Sequence, residues 1–112
     1  LIFIILTGLH QVALAECEIN RFGEVYCGRG ECKQDKVGDV FCSKYQFGDA
    51  LLDELGNVVC GKGQCLSDIK FNDIYCSSVE GGGANRDRSG AIKCYGGCEK
   101  ASALMCESEK GK

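Results

Sequence analysis

The chain has 112 residues, a net charge of −3 and ten cysteines, and it contains neither proline nor tryptophan. Close to a tenth cysteine in so short a chain marks a disulfide scaffold, because small modules bury too little apolar surface to offset the entropy of ordering the chain. The acidic balance argues against nucleic acid as a partner, since phosphate binding needs a surplus of Lys and Arg on one face.

Leu1 to Leu9 is uncharged and apolar, and Ala13-Leu14-Ala15 follows with the small-x-small pattern of a secretory cleavage site. The run is shorter than the roughly 18 to 20 residues a membrane span requires. The expectation is a leader over residues 1–15, truncated at its start because neither a Met nor a basic segment precedes the run. Cleavage would leave a mature chain beginning at Glu16, secreted and extracellular, without a membrane anchor. All ten cysteines would then reach an oxidising compartment, where disulfides are the expected state.

The mature region repeats itself. Gly23-Glu24-Val25-Tyr26-Cys27-Gly28-Arg29-Gly30-Glu31-Cys32 matches Gly56-Asn57-Val58-Val59-Cys60-Gly61-Lys62-Gly63-Gln64-Cys65, and Gly90-Ala91-Ile92-Lys93-Cys94-Tyr95-Gly96-Gly97-Cys98 is a shorter third copy. Cys42, Cys76 and Cys106 follow the three blocks, and Asp39-Val40-Phe41-Cys42-Ser43 matches Asp73-Ile74-Tyr75-Cys76-Ser77. The period of 33 or 34 residues divides the chain into repeats at 16–48, 49–82 and 83–112.

A shorter unit lies inside the repeat. Asn20-Arg21-Phe22-Gly23, Asp35-Lys36-Val37-Gly38, Asp53-Glu54-Leu55-Gly56 and Asp87-Arg88-Ser89-Gly90 share the form Asx-x-x-Gly, and each precedes a short x-(Val/Ile)-x-Cys run. Asx at the first position with Gly at the fourth is type I turn chemistry, the Gly being free to take positive φ. The β-branched and aromatic residues that follow alternate with polar ones, as half-buried strands do. The predicted fold is therefore all-β, small and disulfide-rich: tandem short β-hairpins built on the repeat of about 33 residues. Ala101 to Glu107 could instead form a short helical turn.

The hairpins suggest a pairing. Cys17 and Cys27 flank Asn20-x-x-Gly23 in the same frame in which Cys32 and Cys42 flank Asp35-x-x-Gly38, and Cys65 and Cys76 flank Asp68 with one more residue in the turn. Each turn folds its two cysteines toward one another. The expected bonds are Cys17–Cys27, Cys32–Cys42 and Cys65–Cys76, with Cys98–Cys106 as a shortened version. Cys60 and Cys94 are left over because Ala50 and Ala84 stand where Cys17 stands in the first repeat, and their pairing, Cys60–Cys94, would staple repeat two to repeat three.

The inventory points away from catalysis. The one histidine, His10, falls in the expected leader, so a Ser-His or Cys-His pair has no imidazole in the mature chain. Carboxylates such as Asp49, Asp53 and Glu54 occupy turn positions and read as turn chemistry. The chain is thus expected to be no enzyme and to carry no cofactor. A thiolate zinc site is the alternative use of the Cys-x4-Cys pairs Cys27/Cys32 and Cys60/Cys65 and of the Cys-x3-Cys pair Cys94/Cys98. A calcium site at Asp49, Asp53 and Asn57 matches no EF-hand loop. The Gly81-Gly82-Gly83 stretch reads as a connection between repeats. Its sharper reading is an exposed loop offering Arg86 or Arg88 to a partner, as a protease inhibitor would.

Two resemblances follow from these blocks. Cys27-Gly28-Arg29-Gly30-Glu31-Cys32 with Cys42, and Cys60-Gly61-Lys62-Gly63-Gln64-Cys65 with Cys76, resemble the central part of an epidermal growth factor-like module, which implies an extracellular interaction module. Ser43 and Ser77 stand where that module carries a Cys-x-Cys. The mature chain as a whole resembles the small cysteine-rich secreted proteins of plant-pathogenic fungi, rust fungi in particular, through its leader and repeated Gly-x-Val-x-Cys-Gly-x-Gly-x-Cys blocks. That resemblance implies an effector-like protein acting on a partner protein, a host protein included, and it assigns no site residues.

Overall fold

The computed structural model describes residues 16–112, so the expected leader and His10 lie outside the described residues. The regular structure of the described residues is nearly all strand and forms five consecutive antiparallel hairpins. The first joins β1 (Glu16–Ile19) to β2 (Val25–Gly28), the second β3 (Cys32–Gln34) to β4 (Val40–Ser43), and the third β5 (Ala50–Leu52) to β6 (Val58–Cys60). The fourth joins β7 (Cys65–Ser67) to β8 (Ile74–Ser77), and the fifth β9 (Ala84–Arg86) to β10 (Ile92–Cys94). The hairpin, about half the sequence repeat, is the structural unit.

Four of the five turns are built the same way. The side-chain oxygen of Asn20, Asp35, Asp53 or Asp87 accepts hydrogen bonds from the backbone N–H groups two and four residues on, at 2.9 to 3.0 Å. Gly23, Gly38, Gly56 and Gly90 take φ of 80° to 94° there, which a side chain would oppose. The fourth turn is one residue longer. In it Asn72, at φ 59°, fills the left-handed position, and its N–H bonds the Asp68 carbonyl at 2.8 Å. Asn is among the few residues that tolerate this conformation.

Strand alternation gives every hairpin two faces. On one lie the cysteine column and the preceding Val or Ile, as in Cys32, Val40 and Cys42. On the other lie residues such as Tyr26, Phe41, Leu51 and Val59. The second face of each of the first three hairpins packs on the first face of the next. Tyr26 covers Cys32, Val40 and Cys42; Phe41 covers Ala50, Val58 and Cys60; Leu51 and Val59 cover Cys65, Ile74 and Cys76. The core is thus a set of thin layers between hairpins, and five of its nine buried apolar residues are cysteines.

The Cys-Gly-x-Gly-x-Cys link follows from this stacking. A Cβ on Gly28 would lie 2.2 Å from Cys42 Cβ, and one on Gly61 would lie 2.2 Å from Cys76 Sγ. The backbone after each second-strand cysteine therefore lies directly against the next hairpin's disulfide. The longer links begin with the fully buried Ser43 and Ser77, whose hydroxyls donate to the Gly61 carbonyl at 2.8 Å and the Tyr95 carbonyl at 2.6 Å. Each serine thus satisfies a carbonyl of a later link.

After Cys94 the stacking stops. Gly96 and Gly97, at φ 75° and 95°, reverse the chain, which then runs back along the open edges of the second strands. β11 (Cys98–Lys100) pairs with β8, Ser102 bridges Cys60 of β6, β12 (Cys106–Glu107) pairs with β4, and β13 (Glu109–Lys110) pairs with β2. One short 3-10 turn, Ala103–Met105, interrupts this return and fits the helical turn expected between Ala101 and Glu107. Ion pairs Lys62–Glu99, Asp73–Lys100 and Glu24–Lys110 tie the returning segment to the hairpins.

The disulfides follow the architecture. Cys17 bonds Cys27, Cys32 bonds Cys42 and Cys65 bonds Cys76, each directly across its hairpin with Cα atoms 3.9 to 4.0 Å apart. The other two expected bonds, Cys60–Cys94 and Cys98–Cys106, do not form. Cys60 bonds Cys106 and Cys94 bonds Cys98. Cys60 and Cys94 belong to the third and fifth hairpins, with the fourth between them. Cys98 and Cys106 sit at separate points of an extended returning segment, beside β8 and β4, where no turn folds them together.

Candidate functional site

The turns of the first four hairpins form one edge of the stack and are linked to one another. The Arg21 N–H donates to the Gly38 carbonyl at 3.0 Å and the Lys36 N–H to the Gly56 carbonyl at 2.9 Å. Side chains add to this ladder: Arg21 Nη1 donates to the Val37 carbonyl at 2.6 Å, and Asn72 Nδ2 donates to Glu54 Oε2 at 3.0 Å. The residue after each Asx thus reaches along the edge toward the next turn.

The following residue points away from the stack. Phe22, Val37 and Leu55 occupy this third turn position, and Ile69 and Phe71 flank it in the longer fourth turn. Their exposures are 69, 48, 65, 77 and 71 %. Turn positions of this kind favour small polar residues. Here an apolar row stands on a backbone fixed by Asx bonds and, in three of the four hairpins, by a disulfide at its base. Exposed Arg21, Lys36, Glu54 and Lys70 lie between the apolar side chains, and the Arg21 guanidinium sits 4.7 Å from the Phe22 ring centroid.

A second feature lies in the long links. Phe47 takes φ 66°, the left-handed region that a bulky side chain strongly disfavours, and its duplicate in the next repeat is Gly81 at φ 75°. The half-exposed Phe47 side chain extends toward Gly81, where a Cβ would meet it at 3.5 Å.

The chain matches no known family model. Comparison with curated protein sequences and with solved structures likewise gives no match.

The structure separates the charged residues singled out in the sequence. Arg86 lies in β9, half-buried, with its guanidinium bonded to the Ser67 carbonyl, whereas Arg88 is exposed at the fifth turn. The Gly81–Gly83 stretch bonds backbone to backbone with Lys62, Gln64 and Tyr95, as a connection between hairpins. Asp53 is spent on its own turn, and Asp49 Oδ2 accepts the Cys65 N–H at 2.8 Å, so Asp49, Asp53 and Asn57 do not converge. Among the described residues no three His, Cys, Asp or Glu side chains are placed to hold a metal.

Asp49 belongs to a column that sequence reasoning missed. Glu16 Oε1 accepts the Cys32 N–H at 3.2 Å, Glu31 Oε1 the Ala50 N–H at 3.1 Å, and Gln64 Oε1 the Ala84 N–H at 2.9 Å. One side-chain acceptor per step thus satisfies the first strand of the next hairpin. Burial pushes the carboxyls of Glu31 and Asp49 above the ordinary range, only partly offset by the hydrogen bonds they accept, and the charge of Glu16 pushes both the same way. The apolar tip row was legible as an apolar residue at the third position of successive Asx-x-x-Gly turns, a signal hidden while those turns were read only as turns.

Proposed function

We propose that this chain is a secreted, non-catalytic repeat protein that acts by binding a partner protein along its hairpin-tip edge, in the manner of an effector. The observation that carries this reading is the row Phe22, Val37, Leu55, Ile69 and Phe71. Five large apolar side chains are exposed along one edge where turn chemistry asks for polar ones, and none of them belongs to the core layers. Exposed apolar side chains set among charged ones along one edge suit an interaction surface on a small protein. The rigid base removes most of the ordering cost that a flexible loop would incur on binding. Five disulfides suit an extracellular setting, and no described helix is long and apolar enough to cross a membrane.

The test replaces Phe22, Leu55 and Phe71 together by Ser. All three are exposed, so the thermal midpoint is expected to hold. Wild-type and variant proteins are immobilised in parallel and exposed to extracts of candidate host tissue. A protein retained by the wild type and by a Lys93→Ala control, but lost with the triple variant, supports the reading. Equal retention by all three proteins would refute it.

A further inference from the structure

The returning segment caps the outward carbonyls of β2, β4 and β8. The Val25 carbonyl accepts from the Gly111 N–H at 2.8 Å, the Val40 carbonyl from Ser108 Oγ at 2.7 Å and the Ile74 carbonyl from the Ala101 N–H at 2.8 Å. Val58 holds the same place in the third hairpin, and its carbonyl is the exception. The returning segment bridges Cys60 through Ser102 and then leaves β6 as the 3-10 turn Ala103–Met105. Among the described residues the group facing the Val58 carbonyl is Cys106 Sγ at 3.8 Å, and a disulfide sulfur has no proton to give. An acceptor is thus left without a partner on a residue only 5 % exposed. A cavity of about 350 Å³ opens beside it, walled by Asp35, Asp53 and Asn57 and floored by Phe41, Val58 and Val59. Each aspartate spends Oδ1 on its own turn and keeps Oδ2 without a hydrogen bond among the described residues. No basic residue among the described residues lines the cavity.

We infer that this cavity takes the guanidinium of an arginine side chain presented by the partner protein, an inference that rests on the binding role proposed above only for the arginine's coming from a protein. The cavity offers two carboxylates, a carbonyl and an amide beside an aromatic ring, with no cation of its own. A guanidinium brings five N–H donors in one plane and packs its face on aromatic surface, whereas an ammonium holds its water more strongly. The aliphatic stem of the arginine lies along Phe41 and Val59. Leu104, 83 % exposed, stands between the lining residues Ala103 and Cys106 with its N–H held by Ser102 Oγ at 3.0 Å, and it meets the residues that flank the arginine. Other occupants fit less well. Residues 1–15 contain neither Lys nor Arg. A second copy of the chain brings a net charge of −3 toward an acidic cavity. Calcium takes about six to eight oxygens, more than two turn carboxylates, one amide and one carbonyl supply.

The experiment is an amide NMR titration of the disulfide-intact protein with three probes: acetyl-Leu-Arg-Leu-amide, its citrulline counterpart and butylguanidinium. The expected result is a saturable shift of the Asn57, Val58, Val59 and Ala103 amides with the arginine peptide, and an affinity roughly tenfold lower or less for the uncharged citrulline peptide. Butylguanidinium shifts the same amides with weaker affinity, because it does not reach Leu104. Asp35→Asn combined with Asp53→Asn removes the charge and keeps the turn acceptor, as Asn20 does naturally. It lowers the affinity of the arginine peptide roughly tenfold or more, with an unchanged thermal midpoint. Leu104→Ser weakens the peptide and leaves butylguanidinium as it was. No shift at these amides, equal binding of the two peptides, or undiminished binding by the aspartate variant would overturn the inference. Equal affinity for butylguanidinium and the arginine peptide would mean a free small cation, and the same shifts on raising protein concentration alone would mean a second copy; either overturns it as well. No tip-row residue lines this cavity, so a failed titration leaves the role of the row standing, and a failure of the row leaves the titration unchanged.

Discussion

Ala50 stands directly opposite Cys60 across the third hairpin, in the register where Cys32 faces Cys42 across the second. With no thiol at Ala50, Cys60 has no partner within its own hairpin, and its bond goes to Cys106 on the returning segment. The same substitution, Ala84 opposite Cys94, leaves Cys94 to bond Cys98 at the chain reversal. Two alanines in the hairpin ladder thus direct two disulfides to the segment that closes the stack.

Ala50→Cys is therefore expected to capture Cys60 and leave Cys106 as the free thiol. Alkylation of the oxidised protein followed by peptide mapping reads this directly. Label on the new thiol, with Cys60 still bonded to Cys106, would mean that the returning segment forms before the third hairpin closes.

The two closing bonds differ in the loops they close, 46 residues for Cys60–Cys106 and 4 for Cys94–Cys98. By loop entropy, replacing both cysteines of the first pair by Ser costs about 4 kcal/mol, and of the second about 2 kcal/mol. Denaturant unfolding of the two double variants would show this order. The reverse order would mean that the reversal at Gly96 and Gly97, rather than the clasp at Cys60, holds the returning segment.

Phe47 and Gly81 occupy equivalent positions in the two repeats, both at positive φ. Phe47→Gly relieves a backbone strain of about 1–2 kcal/mol and gives up the partly exposed contact with Gly81, so a net change smaller than about 1 kcal/mol is expected. Phe41→Ala, which removes a half-buried ring from the layer over Ala50, Val58 and Cys60, costs about 3 kcal/mol, the low end for a core phenylalanine. Calorimetry of the two variants decides. A loss at Phe47 as large as that at Phe41 would show that the Phe47 ring is a structural wedge between links.

Glu31 and Asp49 set a pH dependence. Their carboxyls are raised in the fold, by burial first, so the folded state holds their protons more tightly than the unfolded chain does. The stability this protonation contributes is fully present below the unfolded carboxylate range, near pH 4, and is lost as pH climbs through the raised folded values. Glu31→Gln and Asp49→Asn keep an acceptor oxygen, as Gln64 does naturally. Each is expected to be more stable than wild type at pH 7, with the advantage shrinking or reversing toward pH 4. Glu24 is lowered by its bond to Lys110, and Asp87 by its bond to Ser89; both act in the opposite direction and cancel in the comparison of each variant with wild type. A difference in thermal midpoint that does not change with pH would contradict the assignment.

The hairpins were readable because their determinants are local. An Asx, a Gly three residues on and an alternating run ending in Cys specify a turn and two strands within a dozen residues, and three disulfides follow from the same register. The returning segment was not readable in this way. Its strands are two or three residues long and carry no turn signal of their own. They form because β2, β4, β6 and β8 present open edges, and an edge exists only once the stack is built. Cys98 and Cys106 therefore read as a sixth, shortened hairpin. The buried Ser43 and Ser77 read as missing cysteines for a related reason, since their partner carbonyls lie 18 residues away along the chain.

The central claim is a stack of hairpins closed by a returning segment, and the map of its disulfides tests it most directly. Proteolysis of the unreduced protein, with mass spectrometry of the linked peptides, should join Cys60 to Cys106 and Cys94 to Cys98, alongside the three hairpin bonds. Peptides joining Cys60 to Cys94 and Cys98 to Cys106 would contradict the account, because they require a sixth hairpin in place of a chain that turns back.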